Sequence, residues 1–439
     1  MSDFLRLITL QDPNTRVVLL GVALLGAVCG VVGAFAVLRR RALVGDAVAH
    51  ASLPGVCAAY FVVGDRNFAA FLLGALVFGL LAVLCITLIR NHTRIKEDAA
   101  IGTVLSVFFG LGIGMSRMIQ NDPAGSRAGL DGFLFGKAAG MVRQDVLLIA
   151  GVATAALLLV VILYKELKLL CFDREFAGSL GRRVVLLDLA LMTLICLCTV
   201  IGLPAVGAVL VVALLIVPAA AARFWSERLV LILLVAGAFG ALSGTVGASV
   251  SALYAHVSAG PAVALAAAVV FVVSLLLAPR RGVVADIVRR WALRRKILIE
   301  NFLRAMYELD ELASGGAANP ALALKRTWTA AQLERAISLA ERRRLVRREG
   351  GRVTLTESGT RRASDVVRAH RLWELYLIDQ ASIAPDHVDR DADQIEHVLP
   401  PEVLARLDER LRSEGRMPGA AVPASPHSWE RAEAGRALG

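Results

Sequence analysis

Arg39-Arg40-Arg41-Ala42-Leu43-Val44-Gly45-Asp46-Ala47-Val48-Ala49-His50-Ala51-Ser52-Leu53-Pro54-Gly55 leads into an apolar run that continues to Val63. Three arginines mark its edge, and nearly everything behind them is small or aliphatic, so the stretch reads as a helix entering lipid. A carboxylate and an imidazole stand inside it. Ionisable groups at such depth are costly, and they mark functional positions. Asp46 and His50 are four residues apart and share one helix face. Together they offer an oxygen and a nitrogen to a divalent cation such as Mn²⁺ or Zn²⁺. The same spacing also suits a hydrogen bond between the two, or an interfacial Asp46 held by Arg41, and spacing alone does not choose.

Outward from this stretch the apolar pattern recurs. Nine runs approach the length needed to cross a ~30 Å hydrocarbon core. They lie at about 17–38, 43–63, 67–89, 97–115, 144–163, 184–202, 206–222, 228–251 and 259–278. The seventh is short and carries Gly207 and Pro218, which predicts a broken or re-entrant segment. Of 439 residues 57% are hydrophobic, the mean hydropathy is +0.65 and the net charge is +11. The charge is unevenly spread: 34 of residues 1–279 are charged, against 51 of residues 280–439. A single water-soluble enzyme, a disordered chain and a secreted disulfide scaffold are excluded. Cys29, Cys57, Cys85, Cys171, Cys196 and Cys198 sit in or beside apolar runs, and no CxxC pair occurs. They read as buried small hydrophobes. The first residues lack a basic n-region, so no cleavable signal is expected.

Lys and Arg fix the orientation. One set of loops holds Arg39 to Arg41, Arg90, Arg94 and Lys96, Lys165 to Arg183, and Arg223 with Arg228. The opposite set is poorer. With the rich set inside, nine spans put the N-terminus outside and the tail in the cytoplasm. Eight spans move only the N-terminus. On the basic side, Tyr164 to Gly181 mixes Leu and Phe with charge, which predicts a short amphipathic helix lying on the membrane or docking on a soluble partner. No GxxxxGK[ST] phosphate loop occurs, so no nucleotide is expected on this chain itself.

The segment Arg39 to Gly55 resembles the signature of the metal-type ABC-transporter permeases, importers of manganese, zinc and iron. Further blocks follow in that family's order: Glu97 to Met115, Gly129 to Val146, Lys165 to Gly181 and Ile201 to Trp225. The resemblance implies a multi-pass protein of the bacterial plasma (inner) membrane in which two permease subunits form the pathway. It implies a separate cytoplasmic ATPase docked on Lys165, Glu166, Phe172, Asp173, Glu175, Phe176 and Gly181, and an extracytoplasmic metal-binding protein that delivers Mn²⁺, Zn²⁺ or Fe²⁺. It also implies that Asp46 and His50 line the path and contact the ion.

The tail turns helical and charged. Arg280 to Ile299 reads as a basic linker helix whose Arg289, Arg290, Arg294, Arg295 and Lys296 suit anionic headgroups. Glu300 to Leu309 and Thr329 to Leu345 read as amphipathic helices. Val346 to Leu355 reads as two short strands around Gly350-Gly351, and helices followed by such a hairpin suggest a winged helix. Metal-capable residues follow: His370 and Glu374, four apart, then Asp393, Glu396 and His397. Oxygen plus imidazole without thiolate fits Mn²⁺ or Fe²⁺, while a charged surface helix fits the same spacing. This part is similar to the iron- and manganese-dependent repressors of the diphtheria-toxin-repressor kind, through FLRAMYELDE (302–311), AERRRLV (340–346), LTESG (355–359), RAHRLWELYL (368–377) and DADQIEHVLPPEV (391–403). The resemblance implies metal ligands at His370, Glu374, Asp393, Glu396 and His397, with metal as an effector. Asn301 and Asp389 depart from the family's ligand pattern. Glu334 in the recognition helix would repel phosphate, so DNA is not a favoured partner.

The expected fold is therefore an all-α polytopic membrane protein of 8–9 spans followed by a small α+β winged-helix and helical domain. Expected boundaries are 1–280 for the permease, 281–299 for the linker helix, 300–366 for the winged helix, 367–415 for a metal-binding and dimerisation-like region, and 416–439 for a disordered end. The rival expectation is a membrane-tethered, metal-dependent transcription regulator.

Overall fold

The computed structural model describes residues 13–64, 67–121, 141–254, 257–312, 317–318, 328–349, 352–380 and 400–413. The chain divides into two compact units, Met1–Asp286 and Ile287–Gly439.

The first unit is helical. Its elements are α1 (Pro13–Leu38), α2 (Leu43–Val63), α3 (Phe68–His92), α4 (Glu97–Gln120), α5 (Arg143–Ile162), α6 (Tyr164–Phe172), α7 (Arg174–Ser179), α8 (Val184–Val206), α9 (Ala208–Ala222), α10 (Leu229–Leu253) and α11 (Ala259–Leu277). Among the described residues, eight helices are long and apolar enough to cross a membrane: α1 to α5, α8, α10 and α11. The expected polytopic helical fold is thus present. The seventh apolar run forms α9, a helix of 15 residues. At ~1.5 Å per residue it spans only about 22 Å. It starts directly after Gly207, whose φ of 87° no β-carbon residue adopts easily, so the run is broken where its glycine stands.

Without water to drive association, helices in lipid pack by close backbone approach. α1 and α10 meet at Gly26 and Gly240, where a Cβ on either would overlap the other's carbonyl. Gly55 of α2 and Gly74 of α3 do the same. In α2 every residue from Val44 to Cys57 is buried except Asp46 and His50.

α12 (Val283–Leu312), all but its first turn in the second unit, is one continuous helix, so the linker and the first tail helix, expected as separate, are a single element. Its later turns bury Ile299, Phe302, Leu303 and Met306 against Leu333, Ala336, Ile337 and Ala340 of α13 (Ala330–Arg342). Thr329 caps α13 in a reciprocal box with Gln332. The expected hairpin forms as β2 (Val346–Glu349) and β3 (Arg352–Leu355), antiparallel, with Val346 opposite Leu355. A short β1 (Ala317–Ala318), which no sequence pattern announced, adds to the far edge, giving the order β1-β3-β2. Then come α14 (Glu357–Gln380) and α15 (Pro401–Ser413).

Candidate functional site

α1 ends and α2 begins within a turn built by the three arginines. Arg40 takes a left-handed φ of 58°, and the Arg41 amide donates to the Ala36 carbonyl at 2.8 Å, closing α1. This places Asp46 in the first turn of α2 and His50 one turn later. Asp46 Oδ1 and His50 Nε2 lie 3.5 Å apart, with their side chains 38% and 29% exposed. That separation is longer than an ordinary hydrogen bond of ~2.7–3.2 Å. The His50 ring meets Phe109 of α4 in a T-shaped contact, with centroids 4.8 Å apart. Arg41 turns away to other carboxylates and makes no ion pair with Asp46. The pair thus stays open on a stretch of α2 that is otherwise buried from Val44 to Cys57. Two donors are too few for a transition-metal shell, which takes about four or more, and among the described residues no group of three or more His, Cys, Asp or Glu side chains is poised to hold a metal.

A second constellation escaped the sequence reading. Asp188, one turn into α8, is a lone carboxylate in an apolar helix, and its side chain is 4% exposed. Arg39 Nη2 donates to its Oδ1 at 3.0 Å, and Arg41 Nη2 and Arg90 Nη1 donate to its Oδ2 at 3.1 and 3.3 Å. Arg174 of α7 lies 3.8 Å away. Glu97, at the start of α4, adds a second anion, 2.6 Å from Arg41 Nε and 3.5 Å from Arg90 Nε. Arg39 Nη1 also donates to the Leu170 carbonyl of α6 at 2.9 Å. The network therefore joins the ends of α1, α3, α4 and α8 to the α6–α7 segment. The signal for Asp188 was available, since it is the one charge in the run 184–206.

The Tyr164 to Gly181 segment is two short helices, not the single amphipathic helix expected. Asp173 interrupts it and caps α7, its side chain accepting from the Phe176 amide at 2.9 Å. Leu167, Leu170 and Ala177 anchor the inner side. Phe172 and Phe176 are 64% and 51% exposed, and Lys165 and Glu175 are exposed beside them. Glu166 pairs with Arg182 at 3.4 Å. Gly181 ends the segment with φ 73°. Burial pushes the Cys171 thiol up to about 12, so it is an inert packing group.

In the tail, His370 and Glu374 come together as their spacing expects. Nε2 of His370 and Oε1 of Glu374 are 3.0 Å apart, and each side chain is 2% exposed. Arg304 of α12 joins them, its Nη1 2.8 Å from His370 Nδ1. Asp393, Glu396 and His397 lie outside the described residues, as do Gly350-Gly351 and the segment 416–439. In α13, Gln332 serves the cap and Leu333 is buried, while Glu334 is bound by Arg348 at 2.5 Å.

Comparison with known proteins agrees with this architecture. Residues 11–278 match the ABC 3 transport family. Residues 356–418 match the iron dependent repressor, metal binding and dimerisation domain. The chain is 41% identical over 93% of its length to the manganese transport system membrane protein MntC of Bacillus subtilis, covering 94% of that protein. It is 40% identical to the zinc transport system membrane protein TroC of Treponema pallidum, over 66% of this chain and 96% of that one. Among solved structures, PsaBC from Streptococcus pneumoniae in complex with Fab superposes with a TM-score of 0.56 at 34% identity, over 63% of this chain and 97% of that one. The chain thus belongs to the ABC 3 transport family, and behind its membrane helices it carries a region of the iron dependent repressor type.

Proposed function

We propose that the chain is the permease subunit of an ATP-driven importer of a divalent transition metal, manganese or zinc, in a bacterial inner membrane, with residues from about 281 onward in the cytoplasm. One observation carries the reading. On a helix sealed from Val44 to Cys57, only the two groups with metal-binding chemistry stay open. Relatives named for manganese and zinc transport support the same cargo.

Asp46 and His50 supply half of a four-coordinate shell. A second permease subunit presenting its own pair would supply the rest, so the ion is held where two subunits meet. Both donors lie near the surface of one helix, and separation of the subunits would release the ion. An extracytoplasmic metal-binding protein hands the ion over on one side. On the other side, a separate ATPase seats Phe172 and Phe176 together with the flanking charges Lys165, Glu166, Asp173 and Glu175, and Gly181 closes the docking segment. The Asp188 network carries displacement of this segment to Arg41, one residue before the Ala42 N-cap of α2. A push at α6–α7 thus reaches the turn that leads into the helix bearing the donors.

The test is reconstitution of the chain with its ATPase and second permease subunit in vesicles, followed by uptake of Mn²⁺, Zn²⁺ and Fe²⁺. ATP-dependent accumulation of at least one ion is expected. Accumulation driven equally well without the ATPase would replace this reading with a secondary transporter.

A further inference from the structure

The first turns of α12 lie bare. No residue from Val283 to Arg295 is buried, whereas Ile299, Phe302 and Leu303 of the same helix are. Large apolar side chains are among the bare ones: Ile287, Val288 and Trp291 are 49%, 60% and 61% exposed. Val284, Ile287, Val288 and Trp291 stand at i, i+3, i+4 and i+7, which puts them on one face. Arg294 and Arg295, also exposed, extend that face by one more turn. Residues 280–299 hold seven basic side chains and one acidic one, Asp286, which stands off the stripe. An exposed apolar patch rimmed by charge marks a contact surface.

The place of the stripe says what it contacts. α11 is long and apolar enough to cross a membrane and ends at Leu277, and five residues, 278–282, lead from it to α12. They are wound rather than extended: the Gly282 amide donates to the Ala278 carbonyl, and the Asp286 amide to the Gly282 carbonyl, both at 2.9 Å. One such turn advances the chain by ~5.4 Å. The headgroup layer is about 5–8 Å deep on each side of the hydrocarbon core, so α12 starts inside it. Arg281 Nη2 donates to Glu227 Oε1 at 3.2 Å and ties that start to the turn before α10, another helix able to cross a membrane.

A soluble partner would have to reach the stripe through headgroups, whereas lipid is already there. Helices with Trp and aliphatic residues on one face and Lys or Arg around it bury that face about 5–10 Å into the boundary of headgroups and acyl chains. Trp291 sits where the stripe gives way to charge, and indole rings collect at the same level of a membrane. Beyond it the stems of Arg294 and Arg295 follow the apolar boundary while their guanidiniums reach phosphates.

We propose that the first half of α12 is an interfacial anchor. Val284, Ile287, Val288 and Trp291 sink into the leaflet at which α11 ends, and Arg294 and Arg295 bind the phosphates of anionic lipids there. The inference depends on the membrane-crossing helices alone, not on the ion, its donors or the ATPase.

The experiment reads Trp291 fluorescence in the full-length protein, in nanodiscs of phosphatidylcholine and phosphatidylglycerol with and without brominated acyl chains. The chain has five tryptophans, so the Trp291 signal is taken as each sample minus its own Trp291→Phe control. Bromine should quench this signal at least about twofold. Arg294→Glu/Arg295→Glu should restore most of it, and so should discs of phosphatidylcholine alone. A Trp291 signal that bromine leaves unchanged would overturn the proposal and give the stripe to a protein surface. Quenching as strong in the double variant and in neutral discs as in the parent would overturn it too, since anionic lipid would then have no part. All three substituted residues are exposed, and circular dichroism checks that each variant is folded. If the double variant fails to fold, the neutral discs decide the second point alone.

Discussion

Arg39 and Asp188 meet at 3.0 Å, and the same guanidinium holds the Leu170 carbonyl at 2.9 Å. One side chain therefore ties the end of α1 to both α8 and the exposed helix pair α6–α7. Asp188 also accepts from Arg41 and Arg90. Replacing it with Ala would leave these three arginines around Glu97 alone. Breaking a buried ionic site by removing one partner costs about 3–5 kcal/mol. Asp188→Ala should lower the thermal unfolding temperature markedly in detergent. A variant that melts like the parent would show that the network holds nothing together.

Phe172 and Phe176 behave in the opposite way. They are exposed, so truncation should move stability by no more than about 0.5 kcal/mol. If they anchor the ATPase, each should cost about 2 kcal/mol or more of docking energy. Co-purification of the ATPase with Phe172→Ala/Phe176→Ala should therefore fall sharply while the melting curve stays in place. Undiminished co-purification would remove these residues from the docking surface.

Glycine substitutions separate packing from propensity. Gly26 faces the Gly240 carbonyl, whereas a Cβ on Gly151 of α5 would meet nothing within 4 Å. Gly26→Ala should destabilise by about 1–3 kcal/mol through overpacking. Gly151→Ala should be neutral, or stabilising by up to about 1 kcal/mol through helix propensity. Unfolding in denaturant reads both, and equal effects would contradict the α1–α10 contact.

The tail also has an acid limit. Burial pushes the Asp408 carboxyl up, but hydrogen bonds from Arg368 and Arg412, at 2.8 and 3.1 Å, outweigh it and hold the carboxyl below its usual range. A carboxyl depressed in the folded state stabilises above its unfolded value of ~3.9, and that contribution is lost as pH falls through the folded value. Protease cleavage of α15 should rise below about pH 4 in the parent. In Asp408→Asn it should be raised already at neutral pH and change less on acidification. Identical pH profiles would exclude the pair as a clamp between α14 and α15.

Much of the membrane unit was legible because lipid imposes a simple rule: long apolar runs, basic edges and rare internal charges. The break at Gly207 followed from glycine and length, and Asp46 with His50 followed from their helical spacing. Asp188 shows where that legibility stops. Its cost inside an apolar run was visible, but its partners Arg39, Arg41, Arg90 and Arg174 come from distant parts of the chain, and only packing brings them together. Arg304 is similar, since an arginine on an amphipathic helix reads as surface until α14 covers it. The split of the 164–181 segment at Asp173 had a local cue, an Asp able to cap the next helix, but the mixed Leu and Phe pattern continues across it. Strand β1, two alanines long, has no pattern of its own and exists only because β3 offers an edge.

Asp46 and His50 are proposed to hold the transported ion. Asp46→Ala and His50→Ala, each reconstituted with the ATPase and second permease subunit, should lose ATP-dependent metal uptake while the ATPase still co-purifies at the parental level. Uptake by both variants at the parental rate would contradict the claim and move the ion's path away from α2.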